Sequence, residues 1–593
     1  MKGADFDKKM VWRTNEGFNV NPFYTAEDLE KIRSAASLPG EFPYVRGTKI
    51  NNIWYVRQDI CVDDFKKANA KAKELLSKGI TSLGFSFKRD DVTLENLTAL
   101  LDGICPATVE LNFKTCICAT EKLILLLAQY YKSIDCDPGR CTGSVEYDSF
   151  KKPLIKGVAN DQWVEAAVKM VSAAEELPGY RVLAVNATAF NNAGSYSFQE
   201  LGYALAWGNE LMAKLTEAGL NAAEVAKTIK FNFGIGSNYF MEIAKFRAAR
   251  FLWATIVKAY LKEDDCDCAA KIYTHAQTSE WNMTVYDAHV NLLRSQTEAM
   301  SATLAGVDSL LVLPFDKPFK TADDFSERIA RNQQLLLKEE CHFDKVADPS
   351  AGSYYIETLT QSLAQEAWKL FLSVEEQGGF YAAVKNNCIQ QAVKASAQAR
   401  KSAVATRREI LLGTNQYPNF TETALQKIEG KKACCCGGKE APCIEPLSFD
   451  RGAIDFENLR LATERSGKTP KVFMLTIGNL AMRLARSQFS SNFFACAGYK
   501  VVDNLGFDTV EAGVKAAMDA KADIVTLCSS DEEYAQYAPE ANAALNGRAI
   551  LVIAGAPACM DELKAQGIDR FINVRSNVLE TLKEFNAKLG IAL

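Results

Sequence analysis

The sequence predicts an α/β protein in which an N-terminal (β/α)8 barrel of the TIM type precedes a C-terminal flavodoxin-like, doubly wound domain. From Thr81 to about Val312, short β-branched or aromatic runs alternate with longer helical patterns. After Pro470 the alternation becomes shorter and more regular. The composition agrees, because 593 residues with 48% apolar and 24% charged side chains are typical of a soluble chain of more than one domain.

The predicted barrel contains repeated βα units, of which six or seven strands can be counted and the eighth is assumed. Helical patterns such as Ser197 to Ala218 and Asn238 to Lys262 separate the strands. A length of about 250 residues fits a barrel better than a small open sheet. The strand candidates are Thr81 to Phe87, Val109 to Phe113, Arg181 to Asn186, Ile229 to Phe233, Lys271 to His275 and Ser309 to Leu313.

Changes in the pattern give the domain boundaries. We expect an N-terminal arm over 1–40, the barrel with trailing helices over 41–414, a Gly- and Pro-bearing linker over 415–470, and the doubly wound domain over 471–593. The trailing helices cover Glu357 to Glu409.

The last domain is predicted to alternate five strands with five helices. Its strands are Val472 to Ile477, Lys500 to Val502, Ile524 to Cys528, Ala549 to Ile553 and a short one at Phe571. The first of its helices ends at Cys496, the second covers Val510 to Asp519 and the third precedes Asn546. The fourth covers Met560 to Gln566, and the fifth is the last element of the chain.

Net charge and hydropathy exclude two classes of partner. Lys plus Arg (68) minus Asp plus Glu (73) gives −5, so no basic excess is present to bind nucleic acid or an anionic membrane. The densest apolar run, Leu123 to Tyr131, is far shorter than the roughly 20 residues of a spanning helix, and Met1 to Arg13 lacks an apolar signal core. We expect a cytoplasmic protein.

Cysteine and histidine are distributed unusually. The 17 cysteines are spread through apolar stretches, which indicates buried free thiols. Cys434, Cys435, Cys436 and Cys443 form a cluster without the spacing of a zinc site, so a plain linker is favoured there and no metal site is expected. The three histidines are His275, His289 and His342, so residues 343–593 contain none.

Six stretches, in order along the chain, resemble the methylmalonyl-CoA mutase family of adenosylcobalamin-dependent acyl-CoA isomerases. The resemblance runs from about residue 20 to the end of the chain. The stretches are Arg46-Gly47, Arg57-Gln58, Phe233 to Lys245 (FGIGSNYFMEIAK), Thr274 to Trp281 (THAQTSEW), Phe325 to Asn332 (FSERIARN) and Asp348 to Tyr355 (DPSAGSYY).

The resemblance implies a barrel that threads the CoA arm of the substrate along its axis. A C-terminal domain of the cobalamin-binding type would present the cofactor at the barrel mouth. The cofactor carries the radical chemistry that interconverts succinyl-CoA and methylmalonyl-CoA, and the protein positions and shields the reactants.

The sequence departs from the family where the cofactor is ligated. Cobalamin-binding members carry Asp-x-His-x-x-Gly after the first strand of the last domain, where the His ligates cobalt and the Asp orients it. Here that segment reads Gly478 to Arg486 (GNLAMRLAR), with Met482 or Arg483 at the ligand position and Leu480 or Ala481 at the Asp position. A guanidinium has no lone pair to donate, and a thioether is a poor substitute for imidazole.

The barrel shows parallel losses. In the family, the strand-four segment places a His against the migrating thioester carbonyl, and Ala189 stands at that position. The Arg-Leu-Ser before the fifth strand becomes Thr228, Ile229 and Lys230. The chain therefore resembles the non-catalytic small-subunit branch of the family, with Ala189, Thr228 and Lys230 as degenerate catalytic positions.

Some family residues are retained. Arg57 and Gln58 match residues that contact the CoA arm, and His275 with Gln277 falls at a predicted strand end, so the four form a possible vestigial substrate site. For each, a packing role is the favoured alternative.

We interpret the chain as the partner of a catalytic large (α) subunit in a heterodimer, without a cofactor of its own, while the large subunit binds adenosylcobalamin. The segment Asp5 to Glu30, with Trp12, Phe18, Phe23 and Tyr24 expected to be exposed, is the candidate arm around that partner. Two alternatives remain, a scaffold or regulatory module for another cobalamin-dependent partner, and an independent acyl-CoA mutase.

Overall fold

The structure is a computed structural model that describes residues 5–30, 32, 37–429 and 442–592. A two-stranded antiparallel hairpin (β1 Trp12–Arg13, β2 Asn19–Val20) precedes a closed parallel barrel. The eight barrel strands neighbour one another in chain order, and the last pairs with the first, which confirms the predicted barrel. They are β3 Tyr55–Cys61, β4 Ser82–Ser86, β5 Glu110–Lys114, β6 Gly143–Tyr147, β7 Tyr180–Asn186, β8 Ile229–Ile235, β9 Thr274–Thr278 and β10 Ser309–Leu311.

Two barrel strands, β3 and β6, were not among the predicted candidates. Both carry polar side chains at alternate positions, for example Ser144 and Glu146 in β6. Those side chains point into a polar barrel interior, so the apolar run that usually marks a buried parallel strand is interrupted. The segment that carries Ala189 consequently follows the fifth strand, and the run at Ile229 is the sixth.

The helices pack outside the barrel and continue beyond it. Helix α8 agrees with the predicted bounds to one residue, and α10 is shorter than predicted at its carboxyl end. The α-helices from the arm to the end of the trailing helices are α1 Phe6–Lys9, α2 Ala26–Leu29, α3 Phe65–Ser77, α4 Leu94–Leu101, α5 Thr120–Ser133, α6 Trp163–Ala173, α7 Thr188–Asn192, α8 Ser197–Glu217, α9 Ala222–Thr228, α10 Tyr239–Lys258, α11 Val290–Leu304, α12 Asp324–Leu335, α13 Tyr354–Glu376, α14 Phe380–Lys385 and α15 Cys388–Ala405.

The second half of the predicted linker contains a helix, α16 (Ile454–Arg465), that packs against the last helix of the chain. Its buried residues Phe456 and Leu459 belong to the apolar core of the C-terminal domain. This segment therefore forms part of the C-terminal unit, although its charged sequence resembles a linker.

The C-terminal domain is a five-stranded parallel sheet with the order β12-β11-β13-β14-β15, the flavodoxin-like order 2-1-3-4-5, as predicted. The strands are β11 Lys471–Thr476, β12 Lys500–Val502, β13 Ile524–Cys528, β14 Ile550–Ala554 and β15 Phe571–Ile572. The helices are α17 Leu480–Ala495, α18 Val510–Asp519, α19 Tyr534–Leu545, α20 Met560–Ala565 and α21 Val578–Lys588.

The described part of the N-terminal arm packs on the chain's own barrel. The Glu16 carboxylate accepts hydrogen bonds from the amides of Ser197 (3.2 Å) and Phe198 (2.9 Å) at the start of α8. Val20 is buried against α10 and α13, and Phe18 and Tyr24 are half-buried against the same cluster. The expected exposure is therefore wrong for Phe18 and Tyr24, whereas Trp12 and Phe23 are exposed. In the part of the chain that the structure describes, no helix has the length and apolar character needed to cross a membrane.

Candidate functional site

The axis of the barrel is lined by alternate residues of each strand. In β3, Arg57 and Asp59 point inward and form a bidentate ion pair, with Nε–Oδ1 at 2.6 Å and Nη2–Oδ2 at 3.2 Å. Gly84 on the neighbouring strand makes room for this pair, because a Cβ atom there would lie 2.0 Å from Oδ1 of Asp59. The pair therefore depends on the glycine beside it.

A second group of polar side chains fills the axis between β4, β5, β6 and β8. Lys230 donates from Nζ to Asn112 Oδ1 (2.8 Å) and Ser144 Oγ (3.1 Å). Glu110 accepts from Ser82 Oγ (2.5 Å) and from Asn112 Nδ2 (3.2 Å) through Oε2. We call these five residues the axial network. None is more than 2% exposed, so their side chains occupy the space along the axis.

Burial and neighbouring charges set the protonation of these groups. Burial, reinforced by the Arg57 charge, lowers the pKa of Lys230 to about 7, although Glu110 and Glu146 oppose that shift. Burial raises the pKa of Glu110. The Lys230 charge and the hydrogen bond from Ser82 lower it by more than burial raises it, so the pKa lies below the ordinary value. Burial likewise opposes ionisation of Glu146, yet Lys114, whose Nζ lies 3.2 Å away, and the other cations lower its pKa to about 2. The two carboxylates are therefore ionised at neutral pH.

His275 lies inside the barrel near the amino end of its strand. The predicted strand ended at His275, but the observed strand β9 begins at Thr274 and continues through the more polar Gln277. The Nδ1 atom of His275 lies 3.0 Å from Ser309 Oγ. Burial, reinforced by the charges of Arg57 and Lys230, lowers the pKa of His275 well below its usual value, so the imidazole is neutral. Gln277 points to the same face of the strand.

Gln58 lies on the opposite face of β3 from Arg57. Its Nε2 donates to Glu327 Oε2 at 3.0 Å, and its Oε1 lies 3.5 Å from Arg331 Nη1, both on α12. Of the four residues proposed as a vestigial substrate site, the structure therefore brings Arg57, His275 and Gln277 to the barrel interior and places Gln58 outside.

Two of the degenerate positions are at opposite ends of the barrel. Ala189 lies in the short helix α7, which follows the carboxyl end of β7. Thr228 is the last residue of α9, directly before the amino end of β8, and its Oγ1 donates to the Val225 carbonyl at 2.8 Å. Thr228 and Ala189 therefore do not share one site, whereas Lys230 is the centre of the axial network.

Several residues of the retained sequence stretches form buried polar contacts. Glu200 accepts from the Gly234 amide (2.6 Å) and from Lys245 Nζ (2.6 Å), and Lys245 also donates to the Gly234 carbonyl (2.7 Å). Asp348 forms ion pairs with Arg46, at 3.4 Å, and with Arg247. These contacts hold the turn after β8 and the entry to α13, which is a structural role for those stretches.

Met482 and Arg483, at the position of the family's cobalt ligand, lie in the first turn of α17 rather than in a loop. Asn479 caps this helix, because its Oδ1 accepts from the Met482 amide at 3.1 Å. The Arg483 guanidinium packs over Gly506 and donates from Nη2 to the Leu505 carbonyl at 3.0 Å. Neither side chain presents an imidazole-like lone pair.

Glu533 occupies the crevice at the carboxyl edge of the C-terminal sheet. Strands β11 and β13 meet at the topological switch point, where open α/β sheets bind their ligands. The Glu533 carboxylate accepts from Ser529 Oγ (2.5 Å), Ser530 Oγ (2.8 Å) and the Asn479 amide (3.2 Å), so it joins the loops after both strands. The hydrogen bond from Ser529, reinforced by those from Asn479 and Ser530 and only partly opposed by burial, lowers the pKa of Glu533 to about 2.

Four acidic residues of these sites were not predicted from the sequence, namely Asp59, Glu110, Glu146 and Glu533. For Glu110 a signal was available, because Glu110 and Asn112 alternate with apolar residues inside the predicted strand Val109 to Phe113. For Glu533 the sequence gives no comparable signal, since its role depends on two loops that meet only in the folded sheet.

The cysteines differ from expectation in their exposure. Those within the described residues are free, but most of them are exposed, because they lie at the ends of strands and helices rather than in their cores. Cys434, Cys435 and Cys436 fall outside the described residues, and Cys443 is exposed. Among the residues that the structure describes, no group of three or more His, Cys, Asp or Glu side chains is arranged to hold a metal ion.

Comparisons with known proteins agree with the resemblance in the sequence. A protein-family model described as methylmalonyl-CoA mutase matches residues 13–90 and 92–434. A methylmalonyl-CoA mutase small subunit of Porphyromonas gingivalis is 62% identical over 100% of this chain and 96% of its own length.

More distant relatives cover nearly the same span. Small subunits from Streptomyces virginiae and Propionibacterium freudenreichii subsp. shermanii are each 30% identical, over 96% and 99% of this chain and 92% and 91% of their own lengths. A family match over more than half of the chain, with full-length relatives, identifies this chain as a member of the methylmalonyl-CoA mutase family.

Proposed function

We propose that this chain is the non-catalytic small subunit of a heterodimeric methylmalonyl-CoA mutase and that it stabilises a large subunit that performs the isomerisation of succinyl-CoA and (R)-methylmalonyl-CoA. The proposal assigns the reaction, in propionate metabolism, to the complex and not to this chain. We also propose that the complex is cytoplasmic, where acyl-CoA thioesters are available.

The filled barrel axis is the observation that carries this proposal. A catalytic barrel of this family needs space along its axis for the CoA arm. Here Lys230, Glu110 and Asn112 lie across that space with complementary hydrogen bonds, and removing any one of them would leave a buried polar group without its partner. The residues of the axial network therefore bond to one another and fill the space that a substrate arm would need.

The C-terminal domain supports the same assignment. A lower-face cobalt ligand would have to come from the segment at Met482 and Arg483, which is helical and has no imidazole. The crevice that would accept the nucleotide tail of a cobalamin contains the Glu533 carboxylate, bound to the loops on both sides. The residues present do not fit the cofactor, so we assign adenosylcobalamin and the radical chemistry to the large subunit.

The proposal is tested with the chain alone and with its partner. We expect the purified chain to show no stoichiometric uptake of adenosylcobalamin in equilibrium dialysis and no turnover of methylmalonyl-CoA. Co-expression with the large subunit encoded in the same organism should give a one-to-one heterodimer by native mass spectrometry, with one cobalamin per heterodimer.

A matched variant distinguishes the subunits. His→Ala substitution of the cobalt ligand in the large subunit should abolish both cobalamin binding and activity of the heterodimer. Cofactor retained by that variant, or turnover by this chain alone, would contradict the proposal.

A further inference from the structure

A pair of exposed cysteines lies at the carboxyl mouth of the barrel. Cys116 and Cys118 follow β5, and their Sγ atoms are 3.1 Å apart. Both side chains are exposed in the described chain. A disulfide bond has a sulfur–sulfur distance of about 2.0 Å, so closing the bond requires an approach of only about 1 Å.

The local structure favours a thiolate at Cys116. Cys116 directly precedes a short 3₁₀ turn, Ile117–Ala119, that leads into the 14-residue helix α5. Burial opposes ionisation, but hydrogen bonds from Cys118 together with the charges of Arg89 and Lys151 lower the pKa of Cys116 below its ordinary value. Burial raises the pKa of Cys118, and the neighbouring Cys116 sulfur raises it further.

We propose that Cys116 and Cys118 form a redox-active dithiol that is oxidised reversibly to an intramolecular disulfide by anionic low-molecular-weight disulfides such as glutathione disulfide. The loops after β4 and β6 place Arg89 and Lys151 near the pair, and these cations attract a negatively charged reagent. The site is separate from the axial network, and the inference does not depend on the proposed function.

The reaction has two exchange steps. The Cys116 thiolate attacks one sulfur of the reagent, its sulfur–sulfur bond breaks, and one reagent thiolate leaves, so a mixed disulfide forms on Cys116. Cys118 then loses its proton and attacks the Cys116 sulfur, which releases the second reagent thiolate. Two protein thiols are oxidised, one small disulfide is reduced to two thiols, and the two protein protons are taken up by the released thiolates.

The chain contains an internal control with the same sequence spacing. Cys266 and Cys268 are also exposed, and Cys266 caps another 3₁₀ turn, Asp267–Ala270. That turn leads to a strand rather than to a long helix, and the pair is flanked by Asp264, Asp265 and Asp267. In that pair the Cys268 amide donates to the Cys266 sulfur at 3.2 Å. Hydrogen bonds from Cys268 lower the pKa of Cys266 as well, although the Asp267 charge opposes them. The two pairs therefore differ mainly in the surrounding charge, and an anionic disulfide should approach Cys116 more readily than Cys266.

Tryptic mapping separates the two pairs. Cleavage after lysine releases Thr115–Lys122 and Glu263–Lys271, and each peptide carries one complete pair. The full-length chain is incubated with glutathione disulfide at neutral pH, quenched by alkylation and digested. We expect Thr115–Lys122 to lose two hydrogen atoms at least about threefold faster than Glu263–Lys271, and the ratio to fall at high salt.

Single substitutions test the order of attack. Cys118→Ser should accumulate a glutathione adduct on Cys116, whereas Cys116→Ser should form the adduct on Cys118 at least about threefold more slowly. Unchanged thermal unfolding of both variants shows that exposed serines do not disturb the fold. Equal rates for the two peptides, adducts at Cys116 and Cys118 without an internal disulfide, or a faster adduct in Cys116→Ser would overturn the proposal.

Discussion

The Nζ atom of Lys230 lies 2.8 Å from Oδ1 of Asn112, and this contact joins strands β8 and β5 across the barrel axis. The two strands are separated by β6 and β7 in the ring, so the bond crosses the interior and does not link neighbours. Lys230 was recognised in the sequence only as a degenerate position. In the structure it has acquired a specific structural contact.

Lys230→Met should destabilise the chain. The substitution removes the donor to Asn112 and Ser144 and the cation that most lowers the pKa of Glu110, so only the weaker effect of Arg57 remains, and such a loss typically costs about 3 kcal/mol in the free energy of unfolding. Lys227→Met is the matched control, because the exposed Lys227–Glu224 pair on α9 contributes about 0.5 kcal/mol or less. Urea unfolding followed by circular dichroism measures both, and equal effects of the two variants would refute the role of the network.

The buried Glu298 should make stability depend on pH. Burial raises the pKa of this carboxyl on α11 from 4.5 to about 8, only partly opposed by the hydrogen bond from Asn282 Nδ2 at 3.0 Å. Between these two pKa values the folded state binds the proton more tightly than the unfolded state. Its contribution to stability is therefore complete below pH 4.5 and is lost as the pH rises to about 8.

Glu298→Gln removes this titration and keeps an acceptor for Asn282. The unfolding free energy of the variant relative to the wild type should rise with pH across that window, at a slope of at most about 1.4 kcal/mol per pH unit. Denaturant unfolding at several pH values gives the slope. Glu95→Gln makes the same chemical change at an exposed position of α4 and serves as the control. A difference that is constant with pH would exclude a buried, titrating Glu298.

The arm residues should divide into two groups with different effects. Glu16→Ala removes the acceptor for the Ser197 and Phe198 amides in the first turn of α8 and should lower the stability of this chain by about 1 kcal/mol. The double variant Trp12→Ser and Phe23→Ser changes exposed side chains (49% and 68% exposed) and should leave the thermal unfolding of this chain unchanged while it weakens co-elution with the large subunit. Unimpaired co-elution of the double variant would remove these aromatic residues from the interface.

Reintroducing the cobalt ligand should not restore cofactor binding. Met482→His or Arg483→His supplies one nitrogen in the first turn of α17, but no carboxylate orients it, and loss of such an orienting partner typically costs about 10- to 100-fold in affinity. Glu533 still occupies the crevice. Equilibrium dialysis with adenosylcobalamin should match the wild type for both variants, and tight uptake by either would show that the crevice opens readily.

Regular elements were the most predictable part of this protein. The strands Lys500–Val502 and Ile524–Cys528 and the helix Val510–Asp519 match the predictions to the residue, because an apolar sheet between amphipathic helices follows local periodicity. Strand β6 was not predicted, because its Ser144 and Glu146 face a polar interior. Local hydrophobic patterns indicate burial against apolar neighbours, and strands that face a barrel interior lined by ion pairs have few apolar neighbours on that side.

The candidate site could be predicted less completely than the fold. The absence of histidine after His342 and the alanine at position 189 are visible in the sequence alone. The new contacts of Glu533 and Lys230 are not visible in the sequence. Glu533 joins loops that are about 50 residues apart, and Lys230 contacts a strand more than 100 residues earlier.

The axial network also determines how the barrel opens to solvent. Its hydrogen bonds connect β4, β5, β6 and β8, so one of these strands cannot separate from the ring without exposing unpaired polar groups on the others. Local opening should therefore require nearly the full free energy of unfolding, and the backbone amides of these four strands should exchange their hydrogens with deuterium at a common, slow rate. In the proposed heterodimer, such a barrel would behave as a rigid body.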